Sequence, residues 1–267
     1  MLLLLAAVLT IPPGLDLYMP VPEDNPLTEE KIALGRRLFF DRRLSRDGSI
    51  ACSSCHDPDR AFSDGRAIAV GVFGRQGRGS APTIVNRGYG RSFFWDGRAA
   101  TLEEQVPKPI EDPNEMDLPL FEAAARVNLA PEEISRALAS FVRSILSGDS
   151  PFDRFINGDR SALSPDQQAG LQLFRGKANC VACHVGPNFT DENLHNTGVA
   201  WRDGKFADAG AGKGNFKTPR GKISAEVASA PNRLACLRFK RKNIDGRILI
   251  RVQSRRATGE QHRAAAR

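Results

Sequence analysis

The sequence predicts an all-α fold of two related halves, and three observations carry that reading. Cys52-Ser53-Ser54-Cys55-His56 recurs as Cys180-Val181-Ala182-Cys183-His184. Each copy follows a stretch of helical spacing that contains G-x-x-L-F, at 35–39 and at 170–174. No stretch alternates polar and apolar residues strongly enough to make a convincing strand. A helix and a motif repeated in the same order suggest internal duplication, hence two cytochrome c-like domains.

After a Pro-rich lead, Thr28 is placed to cap a helix, with Glu29 and Glu30 in its first turn. Ile32, Gly35, Leu38 and Phe39 fall on one face, and the helix should end near Asp41. The Gly-rich stretch 57–95 reads as a long loop, usually functional or mobile at that length. Thr101-Leu-Glu-Glu104 is a capping box opening a short helix that Pro107 should end. Pro131 starts a longer helix with Ile134, Leu138, Phe141 and Ile145 buried and Gly148 beyond its end. The stretch 148–163 reads as the link between halves. Ser164 and Pro165 open the helix before the second motif, with Leu171, Leu173 and Phe174 as its apolar side. The resulting division is a signal-like lead at 1–23, domains at 24–150 and 151–219, and an atypical tail at 220–267.

The repeated motif has a specific chemistry. In C-x-x-C-H, two thiols on one helical turn add to the two vinyl groups of a porphyrin, and the next histidine meets the iron. Cys52, Cys55 and His56 would attach one haem, and Cys180, Cys183 and His184 a second. A zinc site made of two knuckles would need them much closer in sequence. A pair of redox dithiols would give no reason for a histidine after both. Two covalently bound haem c groups are therefore expected, with His56 and His184 as iron ligands.

With 267 residues and 41% apolar composition, each half can bury a core. The run LLLLAAVL at 2–9 resembles the apolar part of a secretion signal and is too short for a stable membrane span. Covalent haem attachment by this motif belongs outside the bacterial cytoplasm, so a periplasmic location is expected. The net charge of +7 comes from the tail. From Arg233 onward eleven Lys and Arg face Asp245 and Glu260, while the rest carries 27 basic and 29 acidic residues. The tail has no aromatic interleaving beyond Phe239, which argues against nucleic acid as a partner.

Several stretches together resemble the bacterial di-haem cytochrome c peroxidases and the related MauG-type enzymes. They are LGRRLFFDRRLSRDGSIACSSCHDP, SAPTIVNRGYGRSFFWDGRAATLEEQ, PIEDPNEM, SFVRSILSGDSPFDRF, GLQLFRGKANCVACHVGPNFTD and FKTP. The resemblance implies that the haem at His56 reacts with hydrogen peroxide and that the haem at His184 receives electrons. It places Trp95, in WDGR, between the two haems, and Gln105 and Glu115 in the distal pocket of the first. Glu115 would shuttle a proton during O–O cleavage and Gln105 would orient peroxide. Taken alone, Glu115 is one of several acids in EDPNE. A small cytochrome c or cupredoxin is the implied donor, and a homodimer is the family's frequent assembly.

The sequence departs from that pattern in places. No histidine lies between His56 and His184, although many members carry one in the Gly-rich loop, where this chain has Gly71-Val72-Phe73-Gly74. The resemblance then implies a first iron with an open or water-bound distal side, as in MauG-type enzymes. Ser80 stands where many members carry an asparagine that helps hold calcium, so one calcium ligand is missing. All methionines and tyrosines precede His184, which leaves His195 and His262 as candidate distal ligands for the second iron; His195 is read as structural. The tail, with its single Cys236, reads as an out-of-frame or truncated terminus. A protein-oxidising enzyme and a non-catalytic di-haem carrier are the rival functions.

Overall fold

The computed structural model describes residues 9–219; the basic tail, Cys236 and His262 lie outside them. The first helices are α1 (Glu29–Phe39), α2 (Cys52–Cys55), α3 (Leu102–Gln105), α4 (Pro107–Glu111), α5 (Leu120–Val127) and α6 (Pro131–Ser144). Thr28 caps α1 by accepting from the Lys31 amide at 3.3 Å, and Arg36 and Arg37 complement the far end of the helix dipole. Gly35, Leu38 and Phe39 are buried against α6, whose own inner face carries Ile134, Ala137, Leu138 and Phe141. Ile145 caps α6 instead of lying inside it, and remains buried. Pro107 does follow the end of α3, but it also opens α4, because its fixed φ suits a first helical turn.

The α1–α6 contact depends on the missing side chain of Gly35. A Cβ there would lie 2.5 Å from the Ala137 carbonyl carbon and 2.8 Å from the Phe141 Cβ. Backbone cannot swing aside as a flexible side chain can. Gly35→Ala is therefore expected to destabilise the fold by about 1–3 kcal/mol, read as a lower denaturant midpoint with unchanged slope. Phe39 continues the same packing outward, with its ring centroid 5.1 Å from Phe141 and 6.0 Å from Phe62. That carries the core to the first cysteine motif.

A buried polar network ties α3 to the same helices. Arg143 of α6 donates to both Glu103 oxygens, at 2.6 and 2.9 Å, and Asn25 donates to Glu103 at 2.6 Å. Two parallel N–H bonds fix the guanidinium in one orientation. The lead is also part of the folded body from about Pro12 onward. The Asp149 amide donates to the Pro13 carbonyl at 2.8 Å, and Leu15, Met19, Leu27 and Leu146 form a second buried cluster.

The presumed link is not plain chain. Ser150 and Asp153 form a reciprocal cap that opens α7 (Pro151–Ile156), which buries Asp153 and Phe155. After it come α8 (Pro165–Arg175) and two antiparallel ribbons. One ribbon pairs β1 (Leu194–His195) with β4 (Phe216–Lys217), and the other pairs β2 (Trp201–Arg202) with β3 (Lys205–Phe206). These two-residue pairs are the strands that sequence periodicity could not show. On α8, Leu171 and Phe174 share a face, but Leu173 is 58% exposed, contrary to expectation. One residue turns a helix by about 100°, so Leu173 cannot share the Phe174 direction. Among the described residues no helix is long and apolar enough to cross a membrane.

Candidate active site

The two motifs are built alike. In the first, α2 is a single turn closed by the His56 amide donating to the Cys52 carbonyl at 2.9 Å. In the second, a 3-10 turn spans Cys180–Ala182 and the His184 amide reaches the Cys180 carbonyl at 2.9 Å. In both, the two cysteines lie three residues apart on or at the edge of one short helical turn, with the histidine next in the chain. The imidazoles are then held in the same way. His56 Nδ1 meets the Phe62 carbonyl at 3.1 Å, and His184 Nδ1 meets the Phe189 carbonyl at 2.8 Å. A carbonyl facing Nδ1 fixes the proton there, the arrangement that orients a metal-binding histidine, and the Pro82 carbonyl also acts on the His56 ring.

Phe62 and Phe189 were not singled out by sequence reasoning. Both sit in left-handed backbone conformation, at φ 57° and 52°, an uncommon state for a bulky residue and one that clusters at functional sites. A signal for them exists, since Phe62-Ser63-Asp64 and Phe189-Thr190-Asp191 follow the two motifs.

The surroundings of the first motif suit haem better than a reactive dithiol. Burial pushes the Cys52 thiol up to about 12. Burial, then the charges of Asp64 and Glu115, push Cys55 up to about 11. A reactive redox dithiol calls for the opposite shift. Burial also lowers the His56 pKa, keeping the imidazole neutral as a ligand must be. At the second motif, His184 lines a cavity of about 480 Å³ whose walls include Phe152, Phe174, Val181, Val185 and Phe189. An apolar cleft with one imidazole facing in fits a porphyrin.

Glu115 is brought to the first motif. Its backbone carbonyl accepts from the Val72 amide at 2.8 Å, so the 112–117 turn is pinned to the 70–76 hairpin. Burial raises its pKa, Asp112 adds to the rise, and Arg98 and Arg78 oppose it. The charge of Glu115 is felt at Cys55, so the carboxyl lies near the first cysteine motif. Gly71 lies against the same turn: a Cβ there would come 2.7 Å from the Glu115 Cα. The hairpin therefore has no room for a side chain at 71. Gln105 is half-buried at the end of α3, next to α4, which leads into the Glu115 turn.

Trp95 is 51% exposed and stacks on Phe216, with centroids 4.2 Å apart and planes 30° apart. Its carbonyl accepts from the Lys217 amide at 2.8 Å. The tryptophan that precedes Glu115 in sequence is thus seated on residues that follow the second motif. His195 is engaged by Asp191 at 2.7 Å; burial alone would raise the Asp191 pKa, but this bond and others bring it to about 2. Cys183, Asp191 and His195 place ligand atoms within 4.8 Å of one another, and Cys183 is the thiol of the second haem motif.

Comparison with known proteins agrees with this arrangement. The family described as di-haem cytochrome c peroxidase matches residues 29–132. The methylamine utilization protein MauG of Methylorubrum extorquens is 41% identical over 227 residues, covering 75% of this chain and 64% of the relative. Cytochrome c peroxidase Ccp of Escherichia coli is 34% identical over 233 residues, covering 80% of this chain and 50% of the relative. The chain thus spans about half to two thirds of the length of the curated relatives it matches. A crystal structure of a MauG-like protein associated with microbial copper homeostasis superposes with a TM-score of 0.70 at 32% identity, covering 84% of this chain and 73% of that one. Two carbonyl-held histidines in repeated C-x-x-C-H turns, together with these matches, show that the chain belongs to the di-haem cytochrome c peroxidase and MauG family.

Proposed function

We propose that the chain is a periplasmic di-haem peroxidase that reduces hydrogen peroxide to water with electrons from a small cytochrome or cupredoxin. Residues 24–150 carry the peroxide-reacting haem, ligated by His56, and 151–219 the electron-receiving haem, ligated by His184. Haem, when bound, supplies the iron chemistry that cleaves the O–O bond and stores electrons. The chain's own residues do the rest. The Phe62 and Phe189 carbonyls hold the imidazoles in one orientation. Glu115 takes the proton from the peroxide oxygen nearer the iron and returns it to the oxygen that leaves as water. Gln105 orients peroxide by hydrogen bonding, and Trp95 bridges the two halves.

The observation that supports this reading most is the half-buried carboxyl of Glu115 near Cys55, with its pKa raised by burial toward the range a proton shuttle needs. An electron carrier has no use for such a group. Stopped-flow mixing of the half-reduced protein with hydrogen peroxide tests it. Fast peroxide consumption is expected, with two electrons taken per peroxide when reduced donor is supplied; slow bleaching without stoichiometry would overturn the proposal. The MauG relatives, at 41% and 39% identity, favour one second reading, oxidation of side chains on another protein. In that case peroxide consumption depends on the protein whose oxidised side chains supply the electrons and not on a donor cytochrome.

A further inference from the structure

The segment that ends in Trp95 is held by three charged residues. Glu192 accepts from Arg87 Nη1 at 3.3 Å and from the Arg91 amide at 3.3 Å, and pairs with Lys217 Nζ at 3.4 Å. Arg87 Nη2 donates to the Ser92 carbonyl at 2.6 Å, and Lys217 Nζ donates to the same oxygen. Both cations lie against the Phe93 ring, at 4.8 and 5.9 Å from its centroid. The Lys217 amide holds the Trp95 carbonyl, and its neighbour Phe216 stacks on the indole. Positions 91, 92, 93 and 95 are thus each fixed by residues of this group.

The three charged side chains are nearly buried, at 13%, 6% and 7% exposure for Arg87, Glu192 and Lys217. Burying two cations around one carboxylate is an unfavourable way to gain stability, and apolar packing would do as well or better. What directional charged contacts add is a single register. An apolar patch lets a loop slide, whereas donors matched to one carboxylate and one carbonyl do not.

We propose that Arg87, Glu192 and Lys217 form a clamp that positions Trp95 at a fixed place and orientation between the two haem motifs. Lys217 is the member that joins the side-chain clamp to the Trp95 backbone. The functional meaning of the clamp rests on the proposed passage of electrons from the second haem to the first. Transfer through an aromatic bridge depends on where that bridge sits, so a loosened Trp95 slows passage without touching the chemistry at His56.

The test uses the full chain with both haems attached and compares the parent with Lys217→Met and Lys217→Arg. Hydrogen exchange of the 91–98 peptide reports the clamp directly. Mixing protein reduced only at the second haem with peroxide reports electron passage. In Lys217→Met, exchange at 91–98 should rise about tenfold or more while the 131–144 peptide is unchanged. Electron passage should slow by about tenfold, with the peroxide reaction of the fully reduced protein preserved. Lys217→Arg should restore most of both. Unchanged exchange at 91–98, or equal acceleration in every peptide, would overturn the clamp. If the parent passes no electrons but exchange responds as expected, the electron route fails and the clamp stands.

Discussion

Glu115→Gln is expected to slow the reaction with peroxide by about 10²–10⁴-fold, the usual contribution of a positioned acid/base. The pH profile should identify the group. Proton abstraction needs the carboxylate, so the parent rate falls as pH drops through the Glu115 pKa. Burial holds that pKa above the ordinary glutamate value of about 4.3, with Asp112 adding to the rise and Arg98 and Arg78 opposing it. The acidic limb should disappear in Glu115→Gln and move to lower pH in Asp112→Asn. Stability behaves oppositely. A carboxyl whose pKa is raised on folding holds its proton more tightly in the folded state. The parent therefore loses stability as pH climbs from the unfolded value through the folded one. Glutamine, which never ionises, should leave the protein at least as stable at neutral pH. A rate within twofold of the parent, or a surviving acidic limb, would remove Glu115 from the chemistry.

How much of this was legible in the sequence depended on the range of the interaction. Thr28 and Ser164 cap helices through bonds spanning three residues, Pro165 takes the first helical position, and their roles read directly from spacing. The C-x-x-C-H turns are equally local. Ser150-Pro151 carries the same kind of signal for α7, inside the stretch 148–163 whose composition reads as a link. The seat of Trp95 could not be read, because Phe216 and Lys217 lie far along the chain and approach through two-residue strands without periodicity. Phe62 and Phe189 were hidden for another reason: their role uses a backbone carbonyl, which any residue offers, in a conformation that phenylalanine rarely adopts. The Gly-rich stretch 57–95 proved to be mostly irregular, as expected, but its hairpin at 70–76 is fixed to a distant turn by one backbone bond and the Arg75 side chain.

That hairpin gives the second large effect. Gly71 has φ −91°, which any residue can adopt, so glycine is needed there for space and not for backbone freedom. A Cβ would come 2.5 Å from the Glu115 carbonyl oxygen and 2.7 Å from its Cα, and closer still to the Asn114 carbonyl. The obstacles are backbone on a turn held by Arg75, which donates to the Pro113 carbonyl at 2.7 Å and to Asp117 at 3.0 Å. Either the hairpin lifts off, breaking the Val72-to-Glu115 bond, or the Glu115 turn moves. Gly71→Ala is therefore expected to destabilise the protein by about 1–3 kcal/mol, as overpacking does. It should also slow the peroxide reaction by about 10²-fold, as a misplaced catalytic group does. Gly74 provides the contrast, since its φ is 71° and a Cβ there would meet nothing within 4 Å. Gly74→Ala should pay only the left-handed penalty of about 1–2 kcal/mol, with the rate intact. A double-mutant cycle separates position from fold. If Gly71 acts on the reaction through Glu115, adding Gly71→Ala to Glu115→Gln lowers the melting temperature as before but removes no further rate. A further drop of the full single-mutant size would mean that the hairpin serves the reaction by another route.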